Sequence, residues 1–252
     1  GQYLKVEVGH EHSCALSVQG EIHCWGVGID PNRFERDGDY DQATPLQTEG
    51  IISDLVAGAR HNCLLTSEGD VQCWGDNRQG QTSVPTLTWP AVQVVAGRAH
   101  NCIRSIEGEI ICWGANELQQ SSPPESLVQS EIVRLYAGGD GTCALMNDQT
   151  ISCWGEVDYI PNNLENLKNF AMGSKSFCYQ QESEVSEYNT HCQASSALSS
   201  RGPSQPWLYD LNDTPAISSA VGSSHACVLK TNERLECLGT HAPPTLPLFI
   251  DE

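Results

Sequence analysis

Twelve cysteines, and four of the eight histidines set beside them, are the residues in this chain best suited to chemistry. The cysteines fall into pairs along the sequence: Cys14 with Cys24, Cys63 with Cys73, Cys102 with Cys112, Cys143 with Cys153, Cys178 with Cys192 and Cys227 with Cys237. The separation is ten residues in five pairs and fourteen in the fifth of the six. Thiolates attack carbon, ligate metals or close as disulfides, depending on their surroundings. Structural zinc sites place about two to four residues between paired cysteines, and none of these pairs is so spaced. An even count, wholly consumed in pairs, favours disulfides and an oxidising compartment. Zinc and free thiols form the rival reading. With every cysteine paired, no thiol nucleophile is left over.

His12, His61, His100 and His225 each stand two residues before the first cysteine of a pair. A ring of imidazoles would suit copper or zinc. The competing reading is a structural histidine that hydrogen-bonds to backbone in every unit. Gly141 and Ser176 take its place in two units, so no complete ring exists, and the structural reading is favoured. Other catalytic signatures are lacking: the sequence has no G-x-S-x-G elbow, no H-E-x-x-H and no phosphate-cradling glycine loop. Carboxylates abound, but none is marked as half of a glycosidase-like pair. No enzyme activity is expected.

The remaining candidates lie in loops. Asp37, Asp39 and Asp41 alternate as the carboxylates of a calcium loop do. The match stops there, because Gln42 and Thr48 replace the glycine and glutamate that such a loop would carry. Calcium is the one cofactor with any sequence support, against a simple solvated acidic loop. Phe34 and Tyr40 flank these aspartates, and Trp207 and Tyr209 sit in a Ser/Pro-rich insertion between Gln193 and Thr214. Aromatic side chains in loops suit contacts with a protein or a sugar. For Trp207 the alternative is an outer strand "PWLYDL", like "LTWPAVQVV" around Trp89. Asn212-Asp213-Thr214 is a glycosylation sequon.

The elements that position these residues recur. "GHEHSCALSVQGEIHCWG" (9–26) returns as "GARHNCLLTSEGDVQCWG" (58–75), "GRAHNCIRSIEGEIICWG" (97–114) and "GGDGTCALMNDQTISCWG" (138–155). It returns again near the end as "GSSHACVLKTNERLECLG" (222–239), with a degraded copy from Gly173 to Ala194. Six copies in 252 residues give a mean period of 42. Each reads as a short apolar strand ending at glycine, a second strand with the first cysteine, a tight turn, and a third strand ending in Trp-Gly. Gly20, Gly69 and Gly108 share one turn position, where a three-residue hairpin loop wants positive φ. The hairpin brings the paired cysteines opposite each other, as a disulfide requires. Strands this short bury no face alone, so consecutive units must pack on one another, and a period near 40 predicts a β-propeller. The expected blades are approximately 1–52, 53–90, 91–131, 132–167, 168–212 and 213–252, in one all-β domain over 1–252. The ring would close near the junction of the termini. Trp25, Trp74, Trp113 and Trp154 are expected to wedge between blades.

The pattern G-x-x-H-x-C-x-L, then a turn, then C-W-G, resembles the regulator of chromosome condensation repeat. The cysteine-paired form is similar to secreted bacterial members and to the crinkly repeats of plant receptor ectodomains. The resemblance is strong in copies one to four, good in six and poor in five, where Gln193-Ala194 replaces Trp-Gly. It implies a propeller of about seven blades, one more than the six counted here. It does not imply an activity, because members exchange nucleotide on a GTPase, inhibit β-lactamases, sense ultraviolet light or serve as ectodomains.

Charge narrows the choice. The chain carries 32 acidic and 13 basic residues, a net charge of −19. Nucleic-acid affinity comes from lysine and arginine displacing counterions, so nucleic-acid binding is excluded as a main function. No apolar run approaches the ~20 residues that span a bilayer. The sequence shows no signal peptide. The expectation is a six-bladed, disulfide-stapled, non-catalytic module, secreted or at a cell surface or in a periplasm, that binds an extracellular protein. A glycan-binding lectin and an acidic, calcium-interacting surface or matrix protein are the alternatives.

Overall fold

A computed structural model describes residues 2–27, 40–48, 50–127, 130–157, 167–174, 176–182, 188–194, 207–210, 216–221, 225–230, 234–239 and 246–247. The chain forms two compact units, Gly1–Asn147 with Ser152–Glu156, and Asp148–Ile151 with Val157–Glu252. Among the described residues, helix is limited to one short 3-10 turn, Glu125–Leu127.

The first unit is built from antiparallel three-stranded sheets. They are β1 (Tyr3–Val8), β2 (His12–Ser17) and β3 (Ile22–Gly26); β4 (Ile52–Ala57), β5 (His61–Thr66) and β6 (Val71–Gly75); β7 (Gln93–Ala96), β8 (His100–Arg104) and β9 (Ile110–Gly114); and β10 (Ile132–Gly138), β11 (Gly141–Met146) and β12 (Ile151–Gly155). In the second unit, β13 (Leu167–Met172), β14 (Ser176–Glu182), β15 (Tyr188–Ala194) and β16 (Trp207–Asp210) form a four-stranded sheet. So do β17 (Ala216–Val221), β18 (His225–Lys230), β19 (Arg234–Gly239) and β20 (Leu246–Pro247). The described residues thus hold six sheets, one per sequence copy, the degraded fifth copy included.

In the first four sheets the second and third strands join through short turns. In the second, the Thr66 amide bonds to the Asp70 carbonyl at 2.9 Å, and the Asp70 amide donates to Thr66 Oγ1 at 3.1 Å. Ser17 and Ser105 hold their turns the same way. The turn glycines have the positive φ that the sequence predicts, 83° at Gly20, 88° at Gly69 and 89° at Gly108. In the fourth sheet Gln149 takes that position with φ 67°, a conformation that strains a residue with a β-carbon.

The middle strands are buried on both faces; every residue of β5 is buried. Apolar clusters lie between neighbouring sheets of the first unit. Cys14 and Leu16 meet Leu55, Leu64 and Trp74. Val56 and Leu65 meet Val94, Ile103 and Trp113. Cys102 meets Leu135, Ala144 and Trp154. Leu55, Val94 and Leu135 hold the same repeat position, three residues before the glycine that ends the first strand, and each is 0–1% exposed. Burying such a side chain contributes roughly 1.5–3 kcal/mol, so contacts between neighbouring repeats are a substantial source of stability.

In the second unit, Trp207–Asp210 form a strand, as the outer-strand reading expects. β16 pairs with β15, Tyr209 opposite Cys192 and Trp207 opposite Ala194.

Candidate functional site

The cysteine pairs face each other across β2–β3, β5–β6, β8–β9, β14–β15 and β18–β19. Disulfides close Cys14–Cys24, Cys63–Cys73, Cys102–Cys112, Cys143–Cys153 and Cys178–Cys192, with Cα atoms 4.0–4.1 Å apart. That is the close, non-hydrogen-bonded type of cross-strand pair, where side chains approach most nearly. Cys227 stands opposite Cys237 in the backbone register. Zinc has no place at the bonded sulfurs.

The histidines do something the sequence reading missed. It expected them to bond to backbone; instead each reaches a side chain of the next repeat. His12 Nε2 lies 2.8 Å from Asn62 Oδ1, His61 Nε2 lies 2.8 Å from Asn101 Oδ1, and His100 Nε2 lies 2.7 Å from Thr142 Oγ1. Asn62 Nδ2 and Asn101 Nδ2 are themselves donors, to the carbonyls of Gln42 at 2.7 Å and Gln81 at 2.8 Å. Their Oδ1 atoms therefore accept, and the histidine proton sits on Nε2. Thr142 repeats the arrangement, donating to the Gln120 carbonyl at 3.3 Å.

The same three carbonyls accept the indole N–H groups of Trp74, Trp113 and Trp154 at 3.1, 3.0 and 2.9 Å. The glutamine side chains, 0–2% exposed, turn back to accept backbone amides of Tyr40, Gln79 and Leu118. A loop leaving one repeat thus binds the asparagine or threonine and the tryptophan of the next. Gln42, Gln81 and Gln120 were not singled out from sequence. Their signal is a glutamine in the polar loop after the first three Trp-Gly pairs, seven residues past Trp74 and Trp113 and further past Trp25, with none following Trp154-Gly155. Trp74, Trp113 and Trp154 are buried wedges as expected, but Trp25 is 48% exposed.

Nδ1 of His12, His61 and His100 is buried without a partner. The imidazole edge instead packs on the glycine three residues upstream. A β-carbon on Gly58 would fall onto His61 Cε1 and within 2.6 Å of the Gly97 carbonyl oxygen of the next repeat. Gly9 and Gly97 meet the same obstacles. The glycine in G-x-x-H is therefore a close-approach residue. Gly58→Ala should cost about 3 kcal/mol, the upper range for overpacking a core; a stability loss of under about 0.5 kcal/mol by urea titration would show the packing to be soft. Burial holds His61 and His100 at a pKa of about 4 and lowers that of His12.

These G-x-x-H turns also hydrogen-bond to each other in series. The His10 amide donates to the Ala59 carbonyl, Ala59 to Arg98 and Arg98 to Gly139, at 2.9, 3.2 and 2.6 Å. On the outside of this series lies an open cavity of about 510 Å³. The turns supply His10, Arg60 and Arg98; the loops after the second and third repeats supply Arg78, Gln79, Glu117 and Leu118. Asp76 holds Arg78 in a two-point pair, at 3.0 Å to Nε and 2.9 Å to Nη2, and this pairing helps keep the Asp76 carboxyl below its usual pKa despite desolvation acting the other way. Asp140 holds Arg98 Nε at 3.0 Å. Both carboxylates are buried, their side chains 7% exposed, while the two arginines are about 60% exposed. The rim therefore presents guanidinium, with the countercharge beneath it.

Tyr40, one of the predicted contact aromatics, lies under this rim. Arg78 stacks 4.4 Å above its ring and Arg60 lies 5.9 Å from it. Asp41 is exposed with φ 58°. Phe34, Asp37, Asp39 and Asn212 lie outside the described residues, as do the side chains of His225, Trp207 and Tyr209. Among the described residues, no group of three or more His, Cys, Asp or Glu is placed to hold a metal ion, and no helix is long and apolar enough to cross a membrane.

Residues 52–81 and 91–120 match the regulator of chromosome condensation (RCC1) repeat. No curated protein matches the sequence. The structure is similar to the crinkly ectodomain of the Arabidopsis thaliana receptor kinase ACR4, with a TM-score of 0.72 and 22% identity over 98% of this chain and 83% of that one. It is similar to the entire ectodomain of the Physcomitrella patens receptor kinase CR4, with a TM-score of 0.71 and 22% identity over 98% of this chain and 64% of that one. It also resembles Prp20p of Saccharomyces cerevisiae, described with its binding to Gsp1p and histones, at 18% identity, a TM-score of 0.69, and coverage of 93% and 71%. Two stretches of the chain therefore match regulator of chromosome condensation repeats, on an all-β propeller fold, with a disulfide stapling the hairpin of each sequence copy from the first to the fifth.

Proposed function

We propose that this chain is a non-catalytic binding module that works outside the reducing cytosol and recognises a protein partner through its turn-and-loop face. One observation carries the reading. The buried polar groups of the repeats are spent on holding one repeat to the next, while the same turns and loops leave His10, Arg60, Arg98 and Leu118 at an open cavity. Side chains on a stapled frame lose little freedom on binding, which favours affinity. The carboxylates nearest the cavity floor, Asp76 and Asp140, are committed to arginines and poorly placed for acid–base work. Disulfides persist in secreted and cell-surface settings, and two of the similar structures are receptor ectodomains.

The test is a binding screen of the secreted, oxidised chain against an array of purified ectodomain proteins and glycans. Saturable binding to a protein, unchanged by glycosidase treatment of that protein, is expected. Binding to glycans alone would replace this reading with the lectin alternative.

A further inference from the structure

We propose that the cavity beside Arg60 and Arg98 receives an acidic side chain of the protein partner. This deepens the binding-module reading and rests on it. With 32 carboxylates for 13 bases in the chain, almost any base has an acid within reach. Arg78 and Arg98 have found one each. Arg60, partly buried and lining the cavity, makes no direct ion pair among the described residues; it lies over the Tyr40 ring and close enough to Asp76 for its charge to help hold that carboxyl low, with its own fork uncommitted. A guanidinium backed by an aromatic face is held in place by its planar group and keeps its N–H fork free. That fork matches a carboxylate with two parallel hydrogen bonds.

The surroundings agree. The Asp76 and Asp140 charges are buried below the rim and already satisfied by Arg78 and Arg98. A ligand entering from solvent meets three guanidinium groups before it meets those carboxylates. Gln79 and the half-exposed Leu118 provide a polar and an apolar wall, which suits an aspartate or glutamate carried on a peptide. The net charge of −19 repels an extended polyanion over the Debye length, so the geometry favours a single acidic residue in an otherwise neutral or basic segment. Among the described residues, Glu117 is the one exposed carboxylate on the cavity wall and opposes an acidic ligand.

The test is selection of random twelve-residue peptides displayed on phage against the oxidised full-length chain. Binders are then measured on the wild type, Arg60→Glu and Glu117→Lys by fluorescence anisotropy. Both substitutions are at side chains without ion pairs among the described residues, and unchanged melting temperatures confirm that the fold survives. The expected result is enrichment of Asp or Glu at one peptide position. Binding should weaken at least tenfold in Arg60→Glu, tighten about threefold in Glu117→Lys, and weaken with added salt. Replacing the enriched acid by its amide should abolish the difference between wild type and Arg60→Glu. Binders without an enriched acid, or equal affinity for all three proteins, would overturn the acidic-residue site and leave the binding module standing. Preference for heparin over every peptide would overturn both.

Discussion

Reduction of the disulfides should unfold the first unit at 25 °C. Each staple in β2–β3, β5–β6, β8–β9 and β11–β12 closes a loop of ten residues in sequence separation. The chain-entropy relation gives about 2.5–3 kcal/mol for each such loop. The loops do not overlap, so their contributions add to first order. Four of them reach about 10 kcal/mol, which lies within the roughly 5–15 kcal/mol that separates a folded domain from its unfolded chain. The cystines are also packing residues: Cys14, Cys63, Cys102 and Cys143 are 0% exposed and lie at the centres of their sheets. Circular dichroism with and without dithiothreitol would measure the effect. Removing only Cys63–Cys73 by the Cys63→Ala, Cys73→Ala pair should cost about 3 kcal/mol and leave the chain folded. If the fully reduced chain keeps its melting temperature, the staples are decoration and the stability comes from the apolar clusters alone.

Acid should weaken the fold well before carboxylates titrate. His61 and His100 are held at about 4 by burial, against 6.5 in the open chain. A group whose folded pKa is depressed stabilises the fold above its unfolded pKa, and that stability is lost as the pH falls toward the folded value. Here the loss runs from about pH 6.5 down to about 4, then levels off. The difference is worth on the order of 3 kcal/mol for each histidine, with His12 adding in the same direction. Protonation would place a second N–H at Nδ1, where no acceptor is available. Asp76 and Asp140 favour the charged form of His61 and His100 respectively but do not offset burial. Glu7, whose carboxyl burial raises, works against the trend near its lower end. Asp76, held low, contributes its own loss only below about pH 4. Urea titrations at half-unit steps from pH 7.5 to 4 should show the midpoint falling across that window. A flat midpoint between pH 7 and 4.5 would mean the histidines are not buried as described.

These results mark how far the sequence could be read. Repetition of cysteine spacing and turn glycines revealed the sheets, because hairpin geometry is local: ten residues, a positive φ and two facing positions define it. Even the degraded fifth copy forms its sheet, since Cys178 and Cys192 preserve the register despite a longer turn and the missing Trp-Gly. What joins one repeat to the next was harder to see. His61 and Asn101 are 40 residues apart, and nothing in the sequence around His61 says that its acceptor is a side chain rather than a backbone carbonyl. Gln81 escaped notice because a glutamine in a polar loop reads as solvent-exposed, whereas it is 1% exposed. The arginine-lined cavity was missed for a related reason. Arg60 and Arg98 occupy different positions in their G-x-x-H turns and converge only when the sheets pack side by side. The acidic loop with Asp37 and Asp39 drew attention by its spacing, while the described part of that loop contributes Tyr40 as a shelf for two arginines.

The central claim is a stapled, oxidised frame built for binding outside the reducing cytosol. Peptide mapping of the protein as isolated from its natural source, alkylated without reduction, tests it most directly. The account predicts twelve protected cysteines in within-hairpin pairs, including Cys227–Cys237, which face each other in the register of β18 and β19. Free thiols at Cys63 and Cys73, or zinc released in proportion to the cysteines, would contradict it and return the chain to a reducing compartment.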